Sequence, residues 1–158
     1  MRTSIDLHNF LQSLDIPHEI NLVEISATTV SMASLYLGLE TSEIAKTLIV
    51  EADGVPVVVV LPGNRRLDIR KLKKITGVSD VRFADPGDMV AITGYVRGST
   101  PPLAHDKMLP LYVDQRLLTE PVVYTCGGQS NTVLKICPND LVAAGNARIC
   151  DIADDGRV

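Results

Sequence analysis

Lys46 opens an apolar segment, Lys46-Thr47-Leu48-Ile49-Val50, and its ammonium is the first group in this sequence that could act on a ligand. A lysine at the end of a buried strand is either a gatekeeper that keeps its charge in water or a cation aimed into a pocket. Residue physics alone favours the gatekeeper, because lysines are rarely buried without a partner. Two loops further along the chain bear on that choice. One is Gly94-Tyr95-Val96-Arg97-Gly98, followed by Pro101-Pro102, and the other is Gly127-Gly128, directly after Cys126. Cys126 reads first as a small buried hydrophobe, with a pocket-lining role as its alternative. Asp114, at a strand end before Gln115-Arg116, reads as a cap or turn former, and His105-Asp106 as a solvated turn.

No P-loop, nucleophile elbow or Cys/His metal spacing is present, and His8, His18 and His105 are scattered, so neither a metal nor a cofactor is expected. Residues 65–82 contain Arg65, Arg66, Arg70, Lys71, Lys73, Lys74 and Arg82, seven of the chain's 15 basic residues. Such a run is either a solvated helix face or a phosphate-contacting patch, since local Lys/Arg clusters supply most nucleic-acid affinity.

The elements that must position these groups follow from patterning. Ser4 can cap a helix over Ile5–Leu14, ended by Asp15-Ile16-Pro17. His18–Glu24 alternates like a half-buried strand. Thr28 or Thr29 starts a second amphipathic helix that stops at Gly38, and Thr41–Ala45 forms one capped turn that delivers Lys46 to its strand. Asp53-Gly54 closes a tight hairpin onto Val55–Leu61, an unbroken apolar run expected to be covered on both faces. A basic helix follows over Leu67–Ile75, with Gly77 as its stop. Then come a strand at Val81–Phe83, a proline-started short helix near Asp85–Ala91, strands at Leu109–Val113 and Val122–Cys126, and a hairpin partner at Thr132–Ile136. A short helix over Leu141–Ala144 and a strand within Ala147–Ile152 complete the chain. This mixture points to an α/β mixed sheet, open or closed, rather than regular βαβ winding.

The 158 residues fit one domain, residues 1–158, with 46% hydrophobic and 22% charged side chains. With no Trp, two Phe and four Tyr, a base-stacking platform for single-stranded nucleic acid is not expected, and a net charge of −4 excludes general polyanion affinity. Three cysteines without CxxC spacing, no signal peptide and no apolar run of membrane-spanning length make a reduced, cytoplasmic, membrane-free protein the simplest expectation.

Taken in order, these segments resemble the YbaK family, the prolyl-tRNA synthetase-associated editing domain. The matching stretches are Gly38 with Ala45-Lys46-Thr47-Leu48-Ile49-Val50, Pro62-Gly63-Asn64-Arg65-Arg66-Leu67-Asp68, and Gly94-Tyr95-Val96-Arg97-Gly98 with Pro101-Pro102. Leu109–Asp114, Gly127-Gly128 and Asp140-Leu141 extend the similarity, which runs from about Ser26 to Ala144. The family commonly has a second Gly after Gly98 and a Ser before the Pro, where this chain has Ser99 and Pro101. Ala104 stands where a Gly often follows. These departures alter loop shape and hence substrate choice.

The resemblance implies a mixed, barrel-like β-sheet core with surrounding short helices. It also implies a free-standing hydrolase that deacylates mischarged aminoacyl-tRNA in trans, with tRNA(Pro) carrying Ala or Cys as the expected substrate and prolyl-tRNA synthetase as a possible partner. Lys46 would be the essential cation, at the terminal adenosine phosphate or the ester. Thr47, Gly94, Gly98, Pro102, Cys126, Gly127, Gly128 and Asn131 would shape the acyl pocket, and Arg65, Arg66, Arg70, Lys73 and Lys74 would meet the acceptor stem. The alternative is a non-catalytic module that binds tRNA ends or nucleotides. Oligomeric state is left open.

Overall fold

The computed structural model describes residues 1–24 and 29–156. Helix α1 (Ser4–Ser13) is capped by Thr3, whose side chain accepts from the Ile5 N–H while Asp6 returns a bond to the Thr3 N–H. Thr3 rather than Ser4 takes the cap because only from there does Asp6 sit at the reciprocating position. Strand β1 (Glu19–Leu22) follows. Helix α2 (Val30–Leu37) starts from Thr29, whose side chain accepts from the Met32 N–H, and ends at Gly38 with φ 67°; Thr28 lies outside the described residues. A single 3-10 turn, Thr41–Glu43, leads into β2 (Ala45–Ala52).

Asp53 and Gly54 both take positive φ, 49° and 80°, the pairing that matches the twist of a two-residue hairpin, and the chain returns as β3 (Val55–Pro62). Helix α3 (Ile69–Thr76), capped by Asp68 and stopped at Gly77, carries Arg70, Lys71, Lys73 and Lys74 of the basic run. It is followed by β4 (Val81–Phe83), a turn at Pro86–Asp88 merging into α4 (Met89–Thr93), and the Gly94–Pro102 loop. Strands β5 (Leu111–Asp114), β6 (Val123–Cys126) and β7 (Thr132–Ile136), helix α5 (Pro138–Gly145) and β8 (Arg148–Cys150) finish the order.

The strands form two sheets. Five strands run in the order β4-β2-β3-β5-β8, antiparallel at β4-β2-β3 and parallel at β3-β5-β8; three antiparallel strands run β1-β7-β6. The expected barrel-like core is therefore open. The sheets meet at a seam where Ile44 forms a parallel bridge with Tyr124.

Alternation along β2 and β3 sorts the larger sheet's two faces. Ala45, Ile49, Val58 and Val60 pack with Leu7 and Leu11 of α1, Val123 and Leu134 of the smaller sheet, and Leu141 of α5. Val50, Val57, Val59 and Leu61 pack with Leu72 of α3 and with Cys150, Ile152 and Ala153. Of the apolar run Val55–Leu61, expected to be covered on both faces, Val57–Leu61 is buried throughout, while Val55, beside the hairpin turn, is exposed. Among the described residues, no helix is long and apolar enough to cross a membrane.

Candidate active site

A cavity of about 270 Å³ opens at the seam between the two sheets. Its walls are largely apolar: Val30, Ala33 and Leu37 from α2, Ile44 and Ile49 from the β2 segment, Ala84 and Met89 beyond β4, and Val133 from β7. Lys46, Thr47, Gly98, Thr100, Thr125 and Cys126 supply polar atoms or backbone, and Arg97 and Phe83 stand in the lining with exposed side chains. The size and the few convergent polar groups suit a small polar moiety carried on a larger ligand. Among the described lining residues there are two cations, Lys46 and Arg97, and no carboxylate.

Lys46 is half-buried, and burial lowers its pKa below the usual lysine range; Asp154 opposes that shift and Arg66 adds to it. Its register partner is Leu61, so its side chain leaves β2 on the face of Val50 and Leu61, opposite Thr47. The lysine thus belongs to the cavity lining while its ammonium feels the charges of Arg66, past the end of β3, and Asp154, past the end of the chain's last strand. Thr47 takes the cavity-side register, with Ala45 and Ile49.

The hydroxyl oxygens of Thr47 and Thr125 are buried and have no hydrogen-bond partner. They are the buried orphan side-chain oxygens among the described residues, and both line this cavity. Two other threonines of the lining are occupied: Thr100 donates to the Val96 carbonyl and Thr29 caps α2. A buried polar group without a partner costs about 1–3 kcal/mol; both oxygens are enclosed by protein beside the cavity and neither opens onto it. Sequence reading singled out Thr47 but missed Thr125. The available signal was its alternation with Val123, which puts a hydroxyl on the core-facing register of β6.

Cys126 directs its thiol at the Gly98 carbonyl, 3.7 Å away, and burial pushes its pKa up to about 11. A thiol held protonated in this way lines the pocket and is no nucleophile. Gly98 has φ 83° and sits at the turn where the Ser99 N–H reaches the Val96 carbonyl.

The remaining expected pocket residues lie elsewhere. Gly94, with φ 88°, ends α4; a Cβ there would meet the Asp106 carboxylate at 2.6 Å. Pro102 lines a separate, smaller cavity of about 70 Å³ with Phe10, His105 and Leu111. Gly127 packs on Thr132, and Gly128 on the backbone of Thr3 and Ser4, where a Cβ would come within 2.9 Å. Asn131 is exposed and its carbonyl accepts from the Val23 N–H. The second glycine loop therefore seats the start of α1 and does not wall the main cavity.

His105, expected in a solvated turn, is bonded through Nε2 to the Pro101 carbonyl at 2.7 Å and packs edge-on against Tyr95. Burial lowers its pKa and favours the neutral ring. Asp106 is exposed and pairs with Arg2 at 2.6 Å. Asp114 is a structural clamp, in line with its reading as a cap. Fully buried, it accepts from the N–H groups of Ile152 (2.9 Å), Ala153 (2.7 Å) and Arg116 (3.0 Å), and from the Arg116 guanidinium.

The basic run divides. Lys71 is tied to Asp151 and Asp155, Arg82 to Asp80, and Arg65 donates to the Asp154 carbonyl. Arg66, Arg70 and Lys74 are exposed, Lys73 is half-exposed, and none of the four forms an ion pair among the described residues. No cluster of three or more potential metal ligands occurs among the described residues.

Known proteins share this architecture. A model of the "Aminoacyl-tRNA editing domain" matches residues 25–144. The "Putative Cys-tRNA(Pro)/Cys-tRNA(Cys) deacylase EbsC" of Enterococcus faecalis is 31% identical over 117 residues, 73% of this chain and 71% of that protein. A proline--tRNA ligase of Desulfotalea psychrophila is 32% identical over 102 residues, 63% of this chain but only 17% of the ligase. The crystal structure of "a putative trans-editing enzyme for prolyl tRNA synthetase" superposes with a TM-score of 0.87 at 25% identity, covering 98% of each chain. A hypothetical protein of known structure does so with a TM-score of 0.89 at 34% identity, covering 94% of this chain and 99% of its own. With the family model spanning well over half its length, the chain belongs to the aminoacyl-tRNA editing domain family.

Proposed function

We propose that residues 1–158 act as one editing domain that deacylates mischarged aminoacyl-tRNA in trans, with tRNA(Pro) bearing a small amino acid, Ala or Cys, as substrate and the cytoplasm as its setting. One observation carries the reading: the small apolar cavity at the sheet seam, with a half-buried lysine and two unpartnered hydroxyls in its lining. An aminoacyl ester is already activated, so its hydrolysis needs a placed water and a stabilised oxyanion more than a strong nucleophile. Water oxygen bonds to the acyl carbon, the ester bond to the terminal ribose breaks, and the ribose oxygen takes up a proton as it leaves. The neighbouring ribose hydroxyl relays that proton, in keeping with a lining that has no carboxylate and no free imidazole among the described residues. Lys46 supplies positive charge at the terminal phosphate or at the ester oxygen, and Thr47, Gly98 and Cys126 bound the acyl group.

Gly94, Pro102, Gly127, Gly128 and Asn131 contribute by holding the loops and α1 in place. Arg66, Arg70, Lys73 and Lys74, with Arg65 beside them, form the acceptor-stem contact, and a complex with prolyl-tRNA synthetase would present the charged tRNA. The test is release of amino acid from Ala-, Cys- and Ser-charged tRNA(Pro). Release from at least one is expected. Binding without release from any would leave a tRNA-end-binding module in place of the enzyme.

A further inference from the structure

Part of the cavity lining comes from two loops. Gly98 and Thr100 belong to residues 93–106, and Cys126 and Val133 flank the turn at 127–132. On the cavity side the Cys126 thiol joins them by meeting the Gly98 carbonyl. Each loop is closed on itself. In the first, the buried Tyr95 donates to the Ala104 carbonyl at 2.9 Å, and the Asp106 N–H reaches the Thr93 carbonyl at 3.0 Å. In the second, the Gln129 N–H donates to the Thr132 hydroxyl and the Thr132 N–H to the Gln129 carbonyl.

The residues at the start of α1 grip both loops. The Arg2 N–H donates to the Gly94 carbonyl at 2.8 Å, and its guanidinium Nε donates to the Asp106 carboxylate at 2.6 Å. Two residues on, the Ser4 hydroxyl donates to the Gln129 side-chain oxygen. Gly128 lies so near that a Cβ there would come within 2.9 Å of the Ser4 nitrogen. Between the two grips, the Thr3 capping box fixes the backbone.

We propose that Arg2–Ser4 form a clasp that sets one loop against the other, which makes Arg2 a positioning residue for the reaction at the cavity. The kinetic consequence rests on the deacylase reading above. Without its side-chain anchor to Arg2, the loop of Gly98 keeps its internal bonds but shifts as a unit relative to Lys46 on β2. A misplacement of about 1 Å from a distant substitution can cost up to roughly 10²-fold in rate. In that reading the body of the tRNA is held by α3, so the loss falls on kcat and spares KM.

The test compares wild type, Arg2→Ala, Arg2→Lys and Arg82→Ala on whichever of Ala-, Cys- and Ser-charged tRNA(Pro) wild type releases fastest. Arg82→Ala is the control, because it breaks another exposed ion pair, Arg82–Asp80 at 2.9 Å, whose arginine is absent from the cavity lining. Arg2→Ala is expected to lower kcat about tenfold with KM within about twofold. Arg2→Lys, which keeps the pair with Asp106, should recover most of the loss, and Arg82→Ala should match wild type. The thermal midpoint of Arg2→Ala should move by no more than about 3 °C, since exposed pairs add little stability. Iodoacetamide labelling of Cys126, located by peptide mass, should run at least about threefold faster in Arg2→Ala as the loops part. An unchanged kcat in Arg2→Ala overturns the proposal, and so does an equal fall in Arg82→Ala. A lower kcat without faster labelling would make Arg2 a direct substrate contact and overturns it too. If wild type releases nothing, the deacylase reading falls, and the labelling alone decides the clasp: faster in Arg2→Ala upholds it, unchanged overturns it.

Discussion

Asp114 and Thr125 are both buried polar residues near the ends of short strands, yet the protein treats them in opposite ways. Asp114 stands on the face of the large sheet that packs α3 and is saturated: three backbone N–H groups and a guanidinium converge on one carboxylate. Thr125 stands at the seam and its hydroxyl bonds to nothing. Native folds satisfy the great majority of their buried polar groups. A satisfied group therefore speaks of architecture, whereas the orphaned pair beside the hollow is offset by the packing around it. Lys46 lies on the border between the two regions, in the cavity lining but under the charges of Asp154 and Arg66.

The contrast breaks most visibly at its saturated end. Asp114→Ala strands the N–H groups of Ile152 and Ala153 and releases Arg116, so a stability loss of about 3 kcal/mol is expected in urea unfolding. A loss below about 0.5 kcal/mol would show the clamp to be decorative. At the other end, Lys46→Ala should slow deacylation by about 10²-fold or more, the scale of a lost oxyanion donor, with little change in stability. Unchanged turnover with lowered stability would return Lys46 to the clamp side, as a counter-charge for Asp154.

How much of this was legible beforehand follows from the range of each interaction. Asp53-Gly54, Gly38 and Gly77 act within a few residues, and each turn or stop appears where the sequence puts it, whereas the basic helix starts two residues later than expected because Asp68 caps it. The cap of α1 shifts by one because Thr3 and Ser4 can both cap and Asp6 decides between them. The seam was not legible. It depends on the Ile44–Tyr124 bridge across eighty residues, and no local pattern encodes that register. For the same reason the glycines misled: Gly128 lies close to Cys126 in sequence, but its missing Cβ makes room for the backbone of Ser4 and not for a substrate. Thr47 could be placed from strand alternation at a recognised motif, whereas Thr125 needed the partner strand.

Smaller effects sharpen the division further. Replacing Arg70 and Lys74 together by Ala should raise the KM for charged tRNA several-fold and flatten its dependence on log salt by about 2, one for each phosphate that no longer meets a cation. An unchanged salt slope would make that helix face merely solvated. In stability, Thr125→Val should behave as the opposite of Asp114→Ala. Exchanging an orphan hydroxyl for a methyl removes a desolvation penalty, so a gain of up to about 1 kcal/mol is expected. A loss of similar size would mean the hydroxyl has a structural partner after all.

The mildest test concerns acid. Asp151 is pulled below the usual carboxylate range, first by its hydrogen bond to Arg116 and then by that to Lys71. Its folded-state pKa is thus lower than its unfolded one. The stability it contributes is fully present above the unfolded value and drains away as pH falls through the folded value. Asp151 is nearly half exposed, so salt and water weaken its share. Urea midpoints of wild type and Asp151→Asn should therefore differ slightly at neutral pH and converge in acid, the gap shrinking as salt is added. Because the cavity lining has no carboxylate of its own among the described residues, the same descent in pH should leave the preference between alanyl and cysteinyl esters of tRNA(Pro) where it was. A preference that moved together with the urea gap would mean that cavity and clamp are one coupled unit across the sheet rather than two regions.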